Sequence, residues 1–107
     1  MRIIVLESDE VRISCFRQKL IGHVVFYVRT ALEAINLLNK HEPFDQIYLD
    51  HCSNGCEVAE WISKHDGKRP YRVVIHSFNV PGAQNILTLL PEASFIPGVW
   101  LLDRMEF

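Results

Sequence analysis

No stretch of this 107-residue sequence approaches the roughly 20 consecutive apolar residues that a membrane-crossing helix requires. The first apolar run, Ile3 to Leu6, stops at Glu7 and Asp9. It is too short for the apolar segment of a secretory signal, so the expected location is the cytoplasm. Cysteine is scarce. Cys15, Cys52 and Cys56 leave an odd one over and show no framework spacing, which agrees with a reducing compartment. Basic clustering is absent as well, with 11 Lys and Arg against 13 Asp and Glu and a formal charge of −2. That balance argues against a duplex-DNA footprint. It does not exclude small anions, which backbone amides bind without net positive charge. Five glycines and five prolines are too few and too scattered for a linker or low-complexity segment, and no internal repeat is present. A chain of this length buries roughly 60–70% of its unfolded surface, enough for one core, so residues 1–107 are read as a single domain.

What is present is alternation. "RIIVL" (2–6), "VVFYV" (24–28), "QIYL" (46–49) and "RVVI" (72–75) are continuous β-branched and aromatic runs, the pattern of strands buried on both faces of a parallel sheet. Between them the period changes to that of helices. Val11, Ile13, Phe16 and Leu20 suit one stripe, and Leu32, Ile35 and Leu38 another, opened by the T-x-x-E spacing of Thr30 and Glu33. A third stripe runs through Val58, Trp61 and Ile62 and ends at "HDGKRP". A fourth helix should start near Pro81-Gly82, bury Ile86, Leu89 and Leu90, and stop before Pro91. Strand and helix in alternation imply right-handed crossovers, hence a doubly wound α/β fold with a parallel sheet. A fifth strand is expected over 93–96. About ten residues then remain, "GVWLLDRMEF" among them, too few for a full closing helix.

In such sheets ligands bind outside the carboxyl ends of the strands. Those ends collect polar chemistry here: Glu7, Ser8 and Asp9 after the first strand, Asp50 and His51 after the third, and His76 and Ser77 after the fourth. Parallel neighbours lie about 4.8 Å apart, so these residues can converge within roughly 10 Å.

The arrangement resembles the receiver domain of response regulators, in which an acidic pair, a phosphoacceptor Asp, a Ser or Thr and a Lys end successive strands. Glu7 and Asp9, Asp50, Gly55 and Ser77 match that pattern, but "FIPGVW" (95–100) supplies no Lys. A closer resemblance is to the cyclic-phosphate processing receiver domains, many of them small stand-alone proteins and some from bacteriophages. Their pattern of L-(E/D)-D-D-x-x-R, T-x-x-E-A-I, L-D-H-D-L, G-x-x-V-x-x-W-(I/L) and H-S-x-N-x-x-G-x-x-N reads here as "LESDEVR" (6–12), "TALEAI" (30–35), "LDHCS" (49–53), "GCEVAEWI" (55–62) and "HSFNVPGAQN" (76–85). The chain departs from it at Ser8 and Cys52, where aspartates are expected. The resemblance implies a five-stranded sheet in the order 2-1-3-4-5, and the short remainder after the fifth strand implies that the last helix is truncated or missing. It also implies a cyclic-phosphate ligand, and, for a phage-encoded member, the host cytoplasm.

Two histidines at strand ends, His51 and His76, suit phosphodiester cleavage, one imidazole removing a proton and the other donating to the leaving oxygen. Asp50 is read with them as an orienting partner or residual cation ligand. Glu7, Asp9, Arg12, Ser77, Asn79, Gly82 and Asn85 are the expected ligand-binding residues, those near Gly82 through amides at a helix start. Other readings stand beside these. His51, His76 and Asn79 could serve only the local structure. His51, Cys52, Cys56 and His76 could form a zinc set, although they lack a second tight ligand pair. A divalent metal is left open, because Mg²⁺ prefers clustered carboxylates and Ser8 and Cys52 remove two. The rival to a hydrolase is a catalytically silent interaction module, using the face beside the fifth strand, with Trp100 and Leu101 nearby, to bind a partner or a second copy.

Overall fold

Each β-branched run becomes a strand, and each amphipathic stretch between two runs becomes a helix. The computed structural model describes residues 1–50, 54–77 and 80–97, the side chains of Ser77, Val80 and Pro97 excepted. The chain runs β1 (Arg2–Leu6), α1 (Glu10–Lys19), β2 (Val24–Val28), α2 (Ala31–Lys40), β3 (Gln46–Asp50) and α3 (Gly55–Lys64). A 3₁₀ turn at Asp66–Lys68 leads to β4 (Arg72–Ser77), α4 (Val80–Leu89) and β5 (Ser94–Pro97). All strand pairs are parallel, in the order β2-β1-β3-β4-β5.

The helix starts follow from local chemistry. Asp9 caps α1, its carboxylate accepting from the Arg12 amide at 3.0 Å. Thr30 caps α2, its hydroxyl accepting from the Glu33 amide at 3.2 Å and donating to Glu33 Oε1 at 3.0 Å. Before α3, Asn54 takes a left-handed conformation, φ 65°, which asparagine tolerates. Gly55 then follows for want of space: a Cβ there would lie 2.6 Å from the Asp50 carbonyl oxygen. The glycine lets α3 begin hard against the end of β3.

Two cores sandwich the sheet. The larger joins Ile4, Leu6, Ile47, Leu49, Val73 and Ile75 to buried residues of α2, α3 and α4. The smaller joins Ile3 and Val5 to Cys15 and Phe16 of α1, with Tyr48 against it. Among the described residues only α1 packs on this second face; residues 98–107, on which the expectation of a truncated or missing last helix falls, lie outside the described residues.

The differences from the sequence pattern have simple causes. Val11 and Leu32 are exposed, because the buried stripes are Ile13-Phe16 on α1 and Ala31-Ala34-Leu38 on α2. The small alanines let α2 lie close to the sheet. Leu89 is partly exposed while Ile86 and Leu90 carry the contact of α4. The run 24–28 is an edge strand, so only Val28 of it is buried. β3 and β4 are longer than expected: Asp50, His76 and Ser77 lie inside the ladder, because His76 and Ser77 find partners in Ile96 and Pro97 of β5.

Candidate functional site

Strand parity builds the site. Leu6 is level with Leu49, and Asp50 is level with His76, so Glu7, Asp50 and His76 form one row across three neighbouring strands. Alternation turns all three toward the α1 face, where Ile3, Val5 and Tyr48 also point. The row is buried: Glu7 is 1% exposed, Asp50 2% and His76 2%.

Glu7 is its hub. Oε1 accepts from Arg12 Nε at 2.8 Å and lies 3.0 Å from His76 Nε2. Oε2 accepts from the amides of Ser8 and Asp9, both at 3.0 Å, and from the Arg12 guanidinium at 3.1 Å. Burial would push this carboxyl up. The hydrogen bonds from His76, Arg12 and the Asp9 amide outweigh it and bring the group down from 4.5 to about 2, so Glu7 is a carboxylate. A carboxylate only accepts, so His76 Nε2 carries a proton and donates it. Arg12 is pulled up chiefly by its hydrogen bond to Glu7, against partial burial, with the charges of Glu7, Asp50 and Asp9 adding to the effect.

His76 is clamped from the sides as well. The Phe16 ring meets it edge-on, centroids 4.8 Å apart, and Tyr48 lies 6.4 Å away. Its Nδ1 is buried with no hydrogen-bond partner among the described residues. One ligand atom from each of Glu7, Asp50 and His76 lies within 4.8 Å of the others.

Of the residues expected at the site, the structure brings Glu7, Arg12, Asp50 and His76 together. Asp9 is adjacent, but its carboxylate is used in capping α1. Gly82 is buried in the first turn of α4, whereas Asn85 is exposed and has no hydrogen bond or ion pair to the row among the described residues. His51, Cys52 and Asn79 lie outside the described residues, as do Trp100 and Leu101, and of Ser77 only the backbone is described. The zinc set is split: Cys56 packs against the larger core and His76 lies with Phe16 on the other face. Sequence reasoning missed the Glu7–His76 bond. The signal was parity, since an odd residue of one strand and even residues of its neighbours share a face once Leu6 and Leu49 are paired. A separate surface cavity of about 330 Å³ lies between α2 and α3, lined by Ile35, Glu57, Glu60, Trp61, Lys64 and His65.

A 2-1-3-4-5 parallel sheet with acidic residues at the ends of β1 and β3 defines a receiver-like domain. The family model described as the cyclic-phosphate processing Receiver domain matches residues 5–92, and the chain belongs to that family. Solved structures agree on the fold. The phosphorylated cyanobacterial phytochrome response regulator RcpA is 22% identical, with a TM-score of 0.78 over 98% of this chain and 86% of that one. The signal receiver domain of a histidine kinase from Syntrophus aciditrophicus is 19% identical, with a TM-score of 0.73 over 98% of this chain and 86% of that one. A response regulator from Thermotoga maritima is 16% identical, with a TM-score of 0.70 over 98% and 93%. No curated protein sequence matches the chain. No helix among the described residues is long and apolar enough to cross a membrane.

Proposed function

We propose that the protein binds a small cyclic-phosphate or cyclic-nucleotide ligand at the carboxyl edge of its sheet and hydrolyses it with His51 and His76. The observation that carries this reading is the chain that runs from the half-buried Arg12 through the buried Glu7 to the buried His76, beside Asp50. Buried ionic groups contribute little net stability compared with apolar residues of the same size, so their presence in this row argues for use rather than bracing. Glu7 holds the His76 ring in one tautomer and orientation, as an acid–base histidine requires. Arg12, partly exposed and fixed in plane by Glu7, offers a cation toward an anionic ligand. The first turn of α4, which contains Gly82, with Ser77, Asn79 and Asn85, would supply amides and polar side chains for the phosphate. Between the two imidazoles, one removes a proton from water or a ribose hydroxyl and the other protonates the leaving oxygen. Asp50 orients them.

A second reading is favoured by one observation. His76 is 2% exposed with Nε2 committed to Glu7, which also suits a row that only stiffens the edge of an inactive interaction module. Such a module would use the β5 face for a partner or a second copy. Incubating the pure protein with 2′,3′-cyclic mononucleotides and cyclic oligonucleotides, with and without divalent metal, separates the two. A hydrolysis product that is lost in His51→Ala and Arg12→Ala is expected. Neither product nor binding with any of these compounds leaves the interaction module.

A further inference from the structure

We infer that Nδ1 of His76, and not Nε2, is the atom that takes the proton in the proposed hydrolysis, with Glu7 as the positioning residue that makes it so. This rests on the reading of the strand-end row as a cyclic-phosphate site. It adds which nitrogen reacts, which histidine is the base and which the acid, and what the ligand presents to the ring.

The assignment starts from Glu7. Its carboxylate has no hydrogen to give, so the 3.0 Å contact between Oε1 and His76 Nε2 fixes a ring proton on Nε2. Arg12 Nε also donates to Oε1, at 2.8 Å, while Oε2 accepts from the Ser8 and Asp9 amides and from the guanidinium. A carboxylate held by so many donors stays in place, and the tautomer stays with it. The ring is wedged too, with the edge-on Phe16 centroid 4.8 Å away and that of Tyr48 at 6.4 Å. Nε2 is spent on orientation.

The second observation is the other nitrogen. Nδ1 belongs to a residue 2% exposed and has no hydrogen-bond partner among the described residues. Buried polar atoms are nearly always satisfied, so an orphan of this kind calls for a partner that the chain does not supply. A proton on Nδ1 would make it an unpaired donor on a buried cation, the costlier case. The charged groups facing the ring do not demand that cation: Arg12 already answers the charge of Glu7, and Asp50 stands beside the pair in the same row. The neutral ring leaves a lone pair, which a hydroxyl or water proton satisfies and a phosphate oxygen repels.

The division of labour follows. The phosphate oxygens of the ligand go to Arg12 and to backbone amides, and the group against His76 is the attacking water. As the water oxygen bonds to phosphorus, its proton passes to Nδ1. The bond from phosphorus to a ribose oxygen breaks, and His51 gives that oxygen a proton. Nothing is oxidised or reduced. The imidazolium formed at His76 carries a proton on each nitrogen, and the Glu7 carboxylate at Nε2 stabilises it until the Nδ1 proton returns to water.

The test first reads the ring in the full chain without ligand. Long-range proton–nitrogen correlation spectra of the imidazoles, with His76 identified through its contact with Phe16, report which ring nitrogens carry hydrogen. Expected at neutral pH are a protonated Nε2 and a bare Nδ1. Glutamine places an amide where Nε2 stands and nothing where Nδ1 stands. His76→Gln should therefore keep the bond to Glu7 and a melting temperature near that of wild type, yet lose roughly 10²–10⁴-fold in turnover of 2′,3′-cyclic mononucleotides. A proton on Nδ1, or a His76→Gln variant as active as wild type, overturns the inference and leaves the hydrolysis reading standing. No turnover of any cyclic phosphate by wild type removes that reading and this inference together. Where His76→Gln does not fold, the wild-type ring spectrum decides.

Discussion

Replacing Glu7 with glutamine keeps the shape of the hub and removes its charge. In the folded protein the carboxyl lies at about 2, against an ordinary value of 4.5. At about 1.4 kcal/mol per pKa unit, that difference corresponds to about 3 kcal/mol of stability. Because the folded value is the lower one, the contribution is fully present above about pH 4.5 and is lost as the pH falls toward 2. Glu7 is 1% exposed, so solvent screens this little. Urea unfolding of wild type and Glu7→Gln at a series of pH values from 2.5 to 7 measures it. Other carboxylates titrate in the same window, so the informative quantity is the difference between the two proteins. That gap should be widest at neutral pH and should shrink by about 3 kcal/mol as the solution is acidified. A gap that stays constant from pH 7 to pH 2.5 would refute the claim that Glu7 is held as a carboxylate by Arg12 and His76.

Gly55→Ala should cost about 1–3 kcal/mol with an unchanged urea dependence, because its Cβ would meet the Asp50 carbonyl oxygen at 2.6 Å; a stability equal to wild type would show that α3 can move away freely. His76→Ala should lower turnover of a cyclic-phosphate substrate roughly 10²–10⁴-fold in the protein that remains folded. Loss of thermal stability with unchanged turnover would instead leave His76 as a packing residue against Phe16. A small-molecule phosphodonor with Mg²⁺ should leave Asp50 unmodified, since no Lys stands in "FIPGVW" to stabilise the transfer. A gain of one phosphoryl group in the mass spectrum, absent from Asp50→Asn, would contradict this.

The class of fold was legible in the residues because apolar runs and helical stripes alternate without interruption from Arg2 to Ile96. The strand order was available only through family resemblance. Which strand lies at the edge was not legible: "VVFYV" is as apolar as "RIIVL", yet β2 has one neighbour and β1 has two. The stripes of α1 and α2 were misread at Val11 and Leu32 for a related reason. Periodicity marks every apolar residue near a face, but small residues such as Ala31 and Ala34 decide how closely a helix docks. Glu7, Asp50 and His76 were expected together from their places at strand ends, and Arg12 from the family pattern, but as a set of ligand-facing groups. That Glu7 would bind His76 from 69 positions away depends on register across β1, β3 and β4, which no local pattern encodes.

In the proposed function, a phosphate ligand binds at the polar row of the strand ends. Amide chemical-shift mapping during titration with 2′,3′-cyclic nucleotides reports on that binding residue by residue. Saturable shifts centred on Glu7, Arg12, Asp50, Gly55, His76 and the first turn of α4 are expected. Shifts confined to the Ile35–Trp61–His65 cavity between α2 and α3, or no saturable shifts at all, would contradict it.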